Sequence, residues 1–422
     1  MSLRWCESPA AARIAALSAD QAPTAIIRCP HMTEQSSITG SALGGVIGVF
    51  LAAVTAVPGG GSPLCPSGWI CPARPIMSPS MKIGTWYELY WQTPDSTWPG
   101  QHWALWTRYK PVGGYYGSGD PTVVRSQFAQ IKAAGIDYVL LDHTNGIWND
   151  NGEIEKNAKS IFDTDDQLPT DQRMPLAFVL GTWGYSTAAE LQAEADHVWS
   201  TYASRPSYLL WKGKPLLVDY GAYDTTFVPD VVRSWTDPHF TLRHAVEIAN
   251  SSNPLLQQFV PEGLWGWYLP EPQLVSPETI AVAPGYDRQH AASPAPASID
   301  RENGTHYTRE WLFAIKHNPE NIILPSWNDF AEETQIEPSI NVSATPWVDY
   351  YGTETPDWYV QITSNYTHLR TGLMLGSYYR DEDNAVVYEV VDGKLVYQSV
   401  LPHGNPVIFL PAGTLRALLT AP

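Results

Sequence analysis

The chain has 422 residues and a formal charge of −18, with a pI near 4.9, and is long enough for one large barrel of about 250 residues plus smaller appendages. No Lys/Arg cluster interrupts that acidity, which argues against a phosphate-tracking nucleic-acid face. Charged residues reach only 16%, while 18 tryptophans and 22 tyrosines dominate the aromatics; flat rings with polar tips suit a sugar's C–H face and hydroxyls, so carbohydrate is the substrate class to test.

Residues 1–80 are rich in Ala, Ser, Pro and Gly, keep no amphipathic period, and read as an irregular, largely disordered extension. Within it the uncharged run ALGGVIGVFLAAVTAV, residues 42–57, has the length of a secretory h-region and is short for a membrane span. Counted from Met32 its flank carries no positive charge, and counted from Met1 it starts late, so a start near Met77 or Met81 is the alternative. The first start implies a secreted protein, the second a cytoplasmic one. All four cysteines, Cys6, Cys29, Cys65 and Cys71, lie in this segment. Cys65 and Cys71 are spaced for a small loop bridge and lack the second pair of a zinc ribbon.

From Met81 the pattern becomes regular. KIGTWYELYW is strand-like, PTVVRSQFAQIKAAG is an amphipathic helix with Pro121 in its first turn and Gly135 at its end, and IDYVLLD is a buried strand. Further apolar runs follow in MPLAFVLGTW, YLLWKGKPLLVDYG, FTLRHAVEI, GLWGWYL, ETIAVAPGY and NIILPSW, with helices expected in TAAELQAEADHVWSTYAS and THYTREWLFAIKHN. About eight strands alternating with helices predict an α/β fold, a (β/α)8 TIM barrel over residues 81–373. A doubly wound sheet is the competing architecture, but GGYYGSGDP is not the glycine-rich phosphate turn it needs. After a helix in DWYVQITSNYTHLRTG, residues 374–422 alternate Val, Tyr and Leu around an Asp392-Gly393 hairpin turn, which predicts a small antiparallel β-domain.

The segment SWNDFAEETQIEPS places Asn328, Asp329, Glu332, Glu333 and Glu337 directly after the last expected strand. Barrel enzymes carry their chemistry at that end. Glycoside hydrolysis needs one carboxylic acid for the leaving oxygen and a second carboxylate to activate water or attack the sugar. Asp329 and Glu332 are three residues apart, so a turn puts both on one side of the backbone, and neighbouring carboxylates push their pKa values apart. The plainer readings are a solvated acidic loop, or Asp329 as the N-cap of a helix starting at Phe330. Trp327 interleaves as a sugar platform, and Asn328 is a neutral partner for a hydroxyl.

This segment resembles the signature of glycoside hydrolase family 99, an Asn-acid-aromatic-x-Glu-Gly-Thr-Gln-Ile-Glu-Pro run. Its WND opening is similar to the Trp-Asn-Asp-Tyr-Gly-Glu motif of family 71, the fungal α-1,3-glucanases. GGYYGSGDPTVVRSQFAQIKAAGIDYVLLD, YLLWKGKPLLVDYG, VAPGYDRQ and RENGTHYTREW extend the family-99 likeness over most of residues 81–345. The resemblance implies a (β/α)8 barrel cleaving α-glucan or α-mannan chains without a cofactor, with Asp329 and Glu332 as the catalytic pair. The family-71 likeness further implies inversion, with Glu332 as general acid and Asp329 as base or water-positioning group; the swapped assignment is the alternative. The chain departs from family 99 in having Asp329 where that family has Glu, Glu333 where it has Gly, and no acid in LGTWGY after the third strand, where that family carries acidic residues.

Other residues expected at the same rim are Trp86 and Tyr87 in the first strand, Asp142 ending the second, Trp183 after the third, Trp267 in the sixth, and Tyr286 with Asp287 after the seventh. Core packing is the alternative for each ring, and a turn cap for Asp142. His143, His290 and His306 lie nearest that rim, but no HExxH or paired-His spacing accompanies them, so no metal is expected. The expected partner is a polysaccharide or oligosaccharide, not nucleic acid. The runner-up function is a non-catalytic carbohydrate-binding barrel.

Overall fold

The computed structural model describes residues 65–72, 74–93, 103, 107, 109–146, 152–181, 188–221, 237–246, 264–266, 278–287, 298–341, 355–400 and 404–420. Residues 65–80, irregular as composition predicts, are nonetheless fastened to the body. A Cys65–Cys71 disulfide closes their first loop, Ile70 bridges Leu373, and Met77 N donates to Leu369 O over 3.3 Å.

Strand β1 (Lys82–Glu88) opens the main sheet and the short β2 (Tyr109–Pro111) follows. Helix α1 (Pro121–Ala133) starts where its sequence demands: Asp120 Oδ1 accepts from the amides of Thr122 and Val123 at 2.7 and 3.2 Å, and Pro121 fills a first-turn position. Gly135, at φ 77°, ends it. Then come β3 (Tyr138–His143), α2 (Glu153–Asp166), β4 (Leu176–Gly181) and α3 (Ala188–Thr201). Strand β5 (Leu210–Trp211) folds back on β6 (Lys214–Gly221) through Lys212-Gly213, both at positive φ. Strands β7 (Thr241–Val246), β8 (Leu264–Gly266) and β9 (Thr279–Ala281) precede α4 (Thr305–His317) and β10 (Asn321–Leu324). Helix α2 is an addition to the sequence-based expectation.

The main sheet runs β8-β7-β6-β4-β3-β1-β10-β9, with β5 pairing β6 at the side. Every ladder along that path is parallel. All eight runs picked out by hydrophobic pattern are the eight strands of this path. The two end strands, β8 and β9, come beside each other without a ladder between them among the described residues.

Strand alternation sorts side chains into two cores. Trp86, Tyr138, Leu140, Ala177, Val179, Leu216, Val218, Tyr220, Ala245, Trp265 and Ile323 pack together inside the curled sheet. Their strand neighbours, among them Ile83, Tyr87, Val139, Leu141, Phe178, Leu217 and Ile322, pack outward against helix residues such as Phe128, Ile161 and Trp311. Each such aliphatic or aromatic burial contributes about 1.5–3 kcal/mol. Below the inner core, at the start of the strands, Glu278 receives Arg243 Nε (2.7 Å) and Nη2 (3.0 Å), Lys212 Nζ (2.9 Å) and the indole N–H of Trp211 (2.9 Å).

Strand β11 (Ser339–Asn341) pairs antiparallel with β2, joining the loop after β10 to the loop after β1. Helix α5 (Trp358–Thr367) leads to a four-stranded sheet of β12 (Tyr378–Asp381), β13 (Val387–Val391), β14 (Lys394–Gln398) and β15 (Val407–Leu410). Asp392 and Gly393, both at positive φ, turn the β13–β14 hairpin as expected. Two departures from an antiparallel β-domain appear. Strand β15 pairs parallel with β12, and Thr414–Thr420 forms helix α6, its first turn anchored by Leu415 N donating to Asp381 Oδ1 over 2.8 Å. Tyr379, Val390, Ile408 and Leu410 share one core with α4 and α5.

Candidate active site

The C-terminal ends of β1, β3 and β10 meet around four carboxyls. Trp86 faces the inner core, so Glu88, two residues on, faces the same way. The same alternation carries Asp142 inward above Leu140. The ladder pairs Glu88 directly with Asp142, so their side chains stand side by side on the inward face. Asp142 Oδ1 also accepts from Thr144 N over 2.7 Å. Gly181, at the end of β4, permits that turn: a Cβ there would lie 1.9 Å from Thr144 O.

The acidic loop enters from β10. Trp327 N donates to Trp86 O over 2.8 Å, continuing the β1 edge. Asn328 then crosses to β1, its Oδ1 accepting from Glu88 N at 2.7 Å, and Trp91 Nε1 donates to Asn328 O at 2.9 Å. Asp329 heads a tight turn. Its Oδ1 accepts from the amides of Ala331 and Glu332, at 3.0 and 2.9 Å, and from the Tyr90 hydroxyl at 3.0 Å. The capping geometry foreseen for Asp329 is therefore present, but it caps a turn rather than a helix, and it leaves the side chain among the other acids.

Two supports fix this loop from behind. Arg301 Nη2 donates to Glu333 O (2.6 Å) and Gln335 O (2.8 Å), with its guanidinium 4.4 Å over the Tyr359 ring. On the other side the buried Glu337 accepts from Tyr116 Oη (2.7 Å) and Gln127 Nε2 (2.9 Å). Asn328 Nδ2 donates to the same Tyr116 hydroxyl at 3.3 Å. Burial raises the Glu337 pKa to about 7, against the lowering effect of its two donors.

Burial also raises the Glu88 pKa well above the usual carboxylate range, followed by the charge of Asp142, that of Asp329, the hydrogen bond to Asp142, and the charge of Glu332. The Tyr90 phenol is raised by burial and then by Asp329, Glu88 and Glu332. Asp329 and Glu332 thus act on the same two groups. Glu88 is 2% exposed and Asp329 7%, whereas Glu332 and Asp142 are half-buried. Burial and its acidic neighbours favour the protonated form of Glu88 beside carboxyls in more open surroundings, an arrangement able to part a proton donor from an acceptor.

The other expected site residues divide. Trp86 lies in the inner core beneath Glu88, edge-on to Tyr220 at 5.7 Å. Tyr286 and Asp287 lie against the acidic loop, Asp287 N donating to Glu332 O over 2.8 Å. Tyr87 does not face the mouth: its ring packs outward and its hydroxyl donates to Gln127. Trp327 is fully buried in the same outer core, the Asn328 amide is taken up by the β1 main chain, and Glu333 is fully buried at φ 53° with its carbonyl on Arg301. Trp183, Trp267 and His290 fall outside the described residues. His143 points outward toward Glu155 (3.4 Å) and Glu194 (3.6 Å), and burial lowers the His306 pKa to about 4. Among the described residues no group of three or more His, Cys, Asp or Glu is arranged to hold a metal ion.

Sequence reasoning missed Glu88, Tyr90 and Tyr220. The signal for Glu88 was present: an acid at the C-terminal end of a strand, two residues after an inward tryptophan.

No family model matches the sequence, and no curated protein matches it. Its fold is similar to solved structures of the GH99 endo-α-mannosidase from Bacteroides thetaiotaomicron. The structure with BIS-TRIS-propane aligns with a TM-score of 0.54 at 17% identity, covering 70% of this chain and 98% of that one. A second aligns with a TM-score of 0.52 at 16% identity, over 70% and 98%.

Proposed function

We propose that the chain is a glycoside hydrolase of the family 99 and 71 type, cleaving α-glycosidic bonds in a glucan or mannan chain, with Asp329 and Glu332 as its paired carboxylates. One observation carries this reading: Glu88, Asp142, Asp329 and Glu332 gather at the C-terminal ends of parallel strands, where barrels of this kind do their chemistry. The fold likeness to an endo-α-mannosidase supports it. In this reading β8 and β9 close a (β/α)8 barrel over residues 81–373, and residues 374–422 form an accessory domain that stabilises it. The Cys65–Cys71 disulfide supports a secreted protein, since such bonds persist in oxidising compartments.

The chemistry divides between the pair. Asp329, held by the Tyr90 hydroxyl and two amides, takes a proton from water as its oxygen attacks the anomeric carbon. Glu332, the less buried of the two, gives its proton to the glycosidic oxygen as that C–O bond breaks. Exchange with solvent resets both groups.

The test is a panel of α-glucan and α-mannan oligosaccharides with the wild type, Asp329→Asn and Glu332→Gln. Product from the wild type and a loss of at least about a hundredfold in each variant are expected, the scale of general acid–base catalysis. Binding without product by all three would replace the enzyme with a carbohydrate-binding barrel.

A further inference from the structure

Glycoside hydrolysis needs two carboxyls, and the mouth contains a second pair. Glu88 and Asp142 stand opposite each other in the β1–β3 ladder, close enough for the Asp142 charge to favour the protonated form of Glu88. Two ionised carboxylates side by side repel, and a proton on one of them lets it donate to the other. The more deeply buried partner is the cheaper place for it, because desolvation penalises the charged form. Glu88 is 2% exposed and Asp142 is half-buried.

We propose that Glu88 is a positioning residue of this site: a neutral carboxylic acid that donates to Asp142 and, together with the Thr144 amide, fixes Asp142 as the acceptor of a substrate hydroxyl. The groups facing Glu88 agree with that state. Asp142 on β3, Asp329 and Glu332 on the loop after β10, and burial itself all favour its protonated form, and Tyr90, after β1, faces it as a neutral phenol. Glu88 keeps its proton throughout turnover. Where it ionises, above the usual carboxylate range, the bond to Asp142 is replaced by repulsion and substrate binding weakens as pH rises.

The hydroxyl-bearing ligand rests on the hydrolase reading, whereas the protonation state does not, so the experiment has two arms. The first is a difference infrared spectrum of the wild type against Glu88→Gln at neutral pH. A carboxylic-acid C=O band present in the wild type and missing from the variant is expected; its absence from the difference overturns the proposal whether or not the protein cleaves any glycan.

The second arm uses whichever α-glucan or α-mannan oligosaccharide the wild type cleaves. Glu88→Gln, whose amide donates in the same place and cannot ionise, retains kcat and KM within a few-fold and loses the rise in KM with pH. Glu88→Ala raises KM about tenfold, the scale of one hydrogen bond, with kcat little changed. A Glu88→Gln enzyme as inactive as Glu88→Ala would mean that the proton must leave Glu88, and the positioning role would be wrong. If the wild type cleaves none of the panel, the hydrolase reading fails while the infrared arm still decides the state of Glu88.

Discussion

Asn328 and Glu88 hold each other's chains in register, Glu88 N donating to Asn328 Oδ1 at 2.7 Å and Asn328 Nδ2 returning a bond to Glu88 O at 3.3 Å. They are 240 residues apart in sequence, and this exchange couples the first strand to the acidic loop. Asn328→Ala strands the buried Glu88 amide. We expect a stability loss of about 1–3 kcal/mol, read as a lower urea midpoint with unchanged m-value. A wild-type midpoint would show the contact to be dispensable.

Tyr90 tests the state of Asp329 rather than its fold. Tyr90→Phe removes the hydroxyl that donates to Asp329 Oδ1 while leaving the Ala331 and Glu332 amides in place. A hydrogen bond to a charged group is worth about 1.5–3 kcal/mol. The expected result, under the hydrolase reading, is a fall in kcat/KM of roughly ten- to a hundredfold, with a stability loss no larger than that one bond. Equal kcat/KM for both proteins would remove Tyr90 from the mechanism.

Glu337 makes stability depend on pH in a direction opposite to most carboxylates. Its folded pKa is raised to about 7, above the unfolded value of about 4.3. The native state therefore binds the extra proton. The contribution is fully present below the unfolded pKa and is lost as pH rises through about 7. Its full extent is on the order of 3 kcal/mol. Glu337→Gln should flatten the decline in melting temperature between about pH 5 and 8; a decline as steep as the wild type's would locate the effect elsewhere.

Glu278 shows the usual sign. Burial opposes its ionisation, but the Arg243 and Lys212 contacts win and hold its pKa below the ordinary range. Its contribution is thus present above the unfolded pKa of about 4.3 and lost as pH falls through the lower folded value. Arg243→Met leaves a buried carboxylate with Lys212 as its remaining cation and should cost about 3–5 kcal/mol at neutral pH. Denaturant titration of the variant against wild type checks this, and a loss under about 1 kcal/mol would mean that Lys212 suffices.

The sequence by itself determined the elements whose physics is local. The eight parallel strands are legible because apolar, β-branched and aromatic residues run together between breakers. Helix α1 is legible from Pro121 and Gly135, and the β13–β14 hairpin from Asp392-Gly393. The acidic loop announced itself by crowding its acids behind a strand. Helices α2 and α6 escaped because a weakly apolar stripe becomes helical only when there is a surface to pack against. Tertiary structure alone decided which way each side chain faces. Trp86 and Tyr87 are adjacent and look alike as sugar platforms, yet the pleat sends one into the inner core and the other to the helices. That same pleat aims Glu88 at the mouth, and the ladder sets Asp142 opposite it. Register among strands far apart in sequence is fixed only when the whole sheet buries its two faces, so the pairing of Glu88 with Asp142 belongs to the fold and not to any local motif.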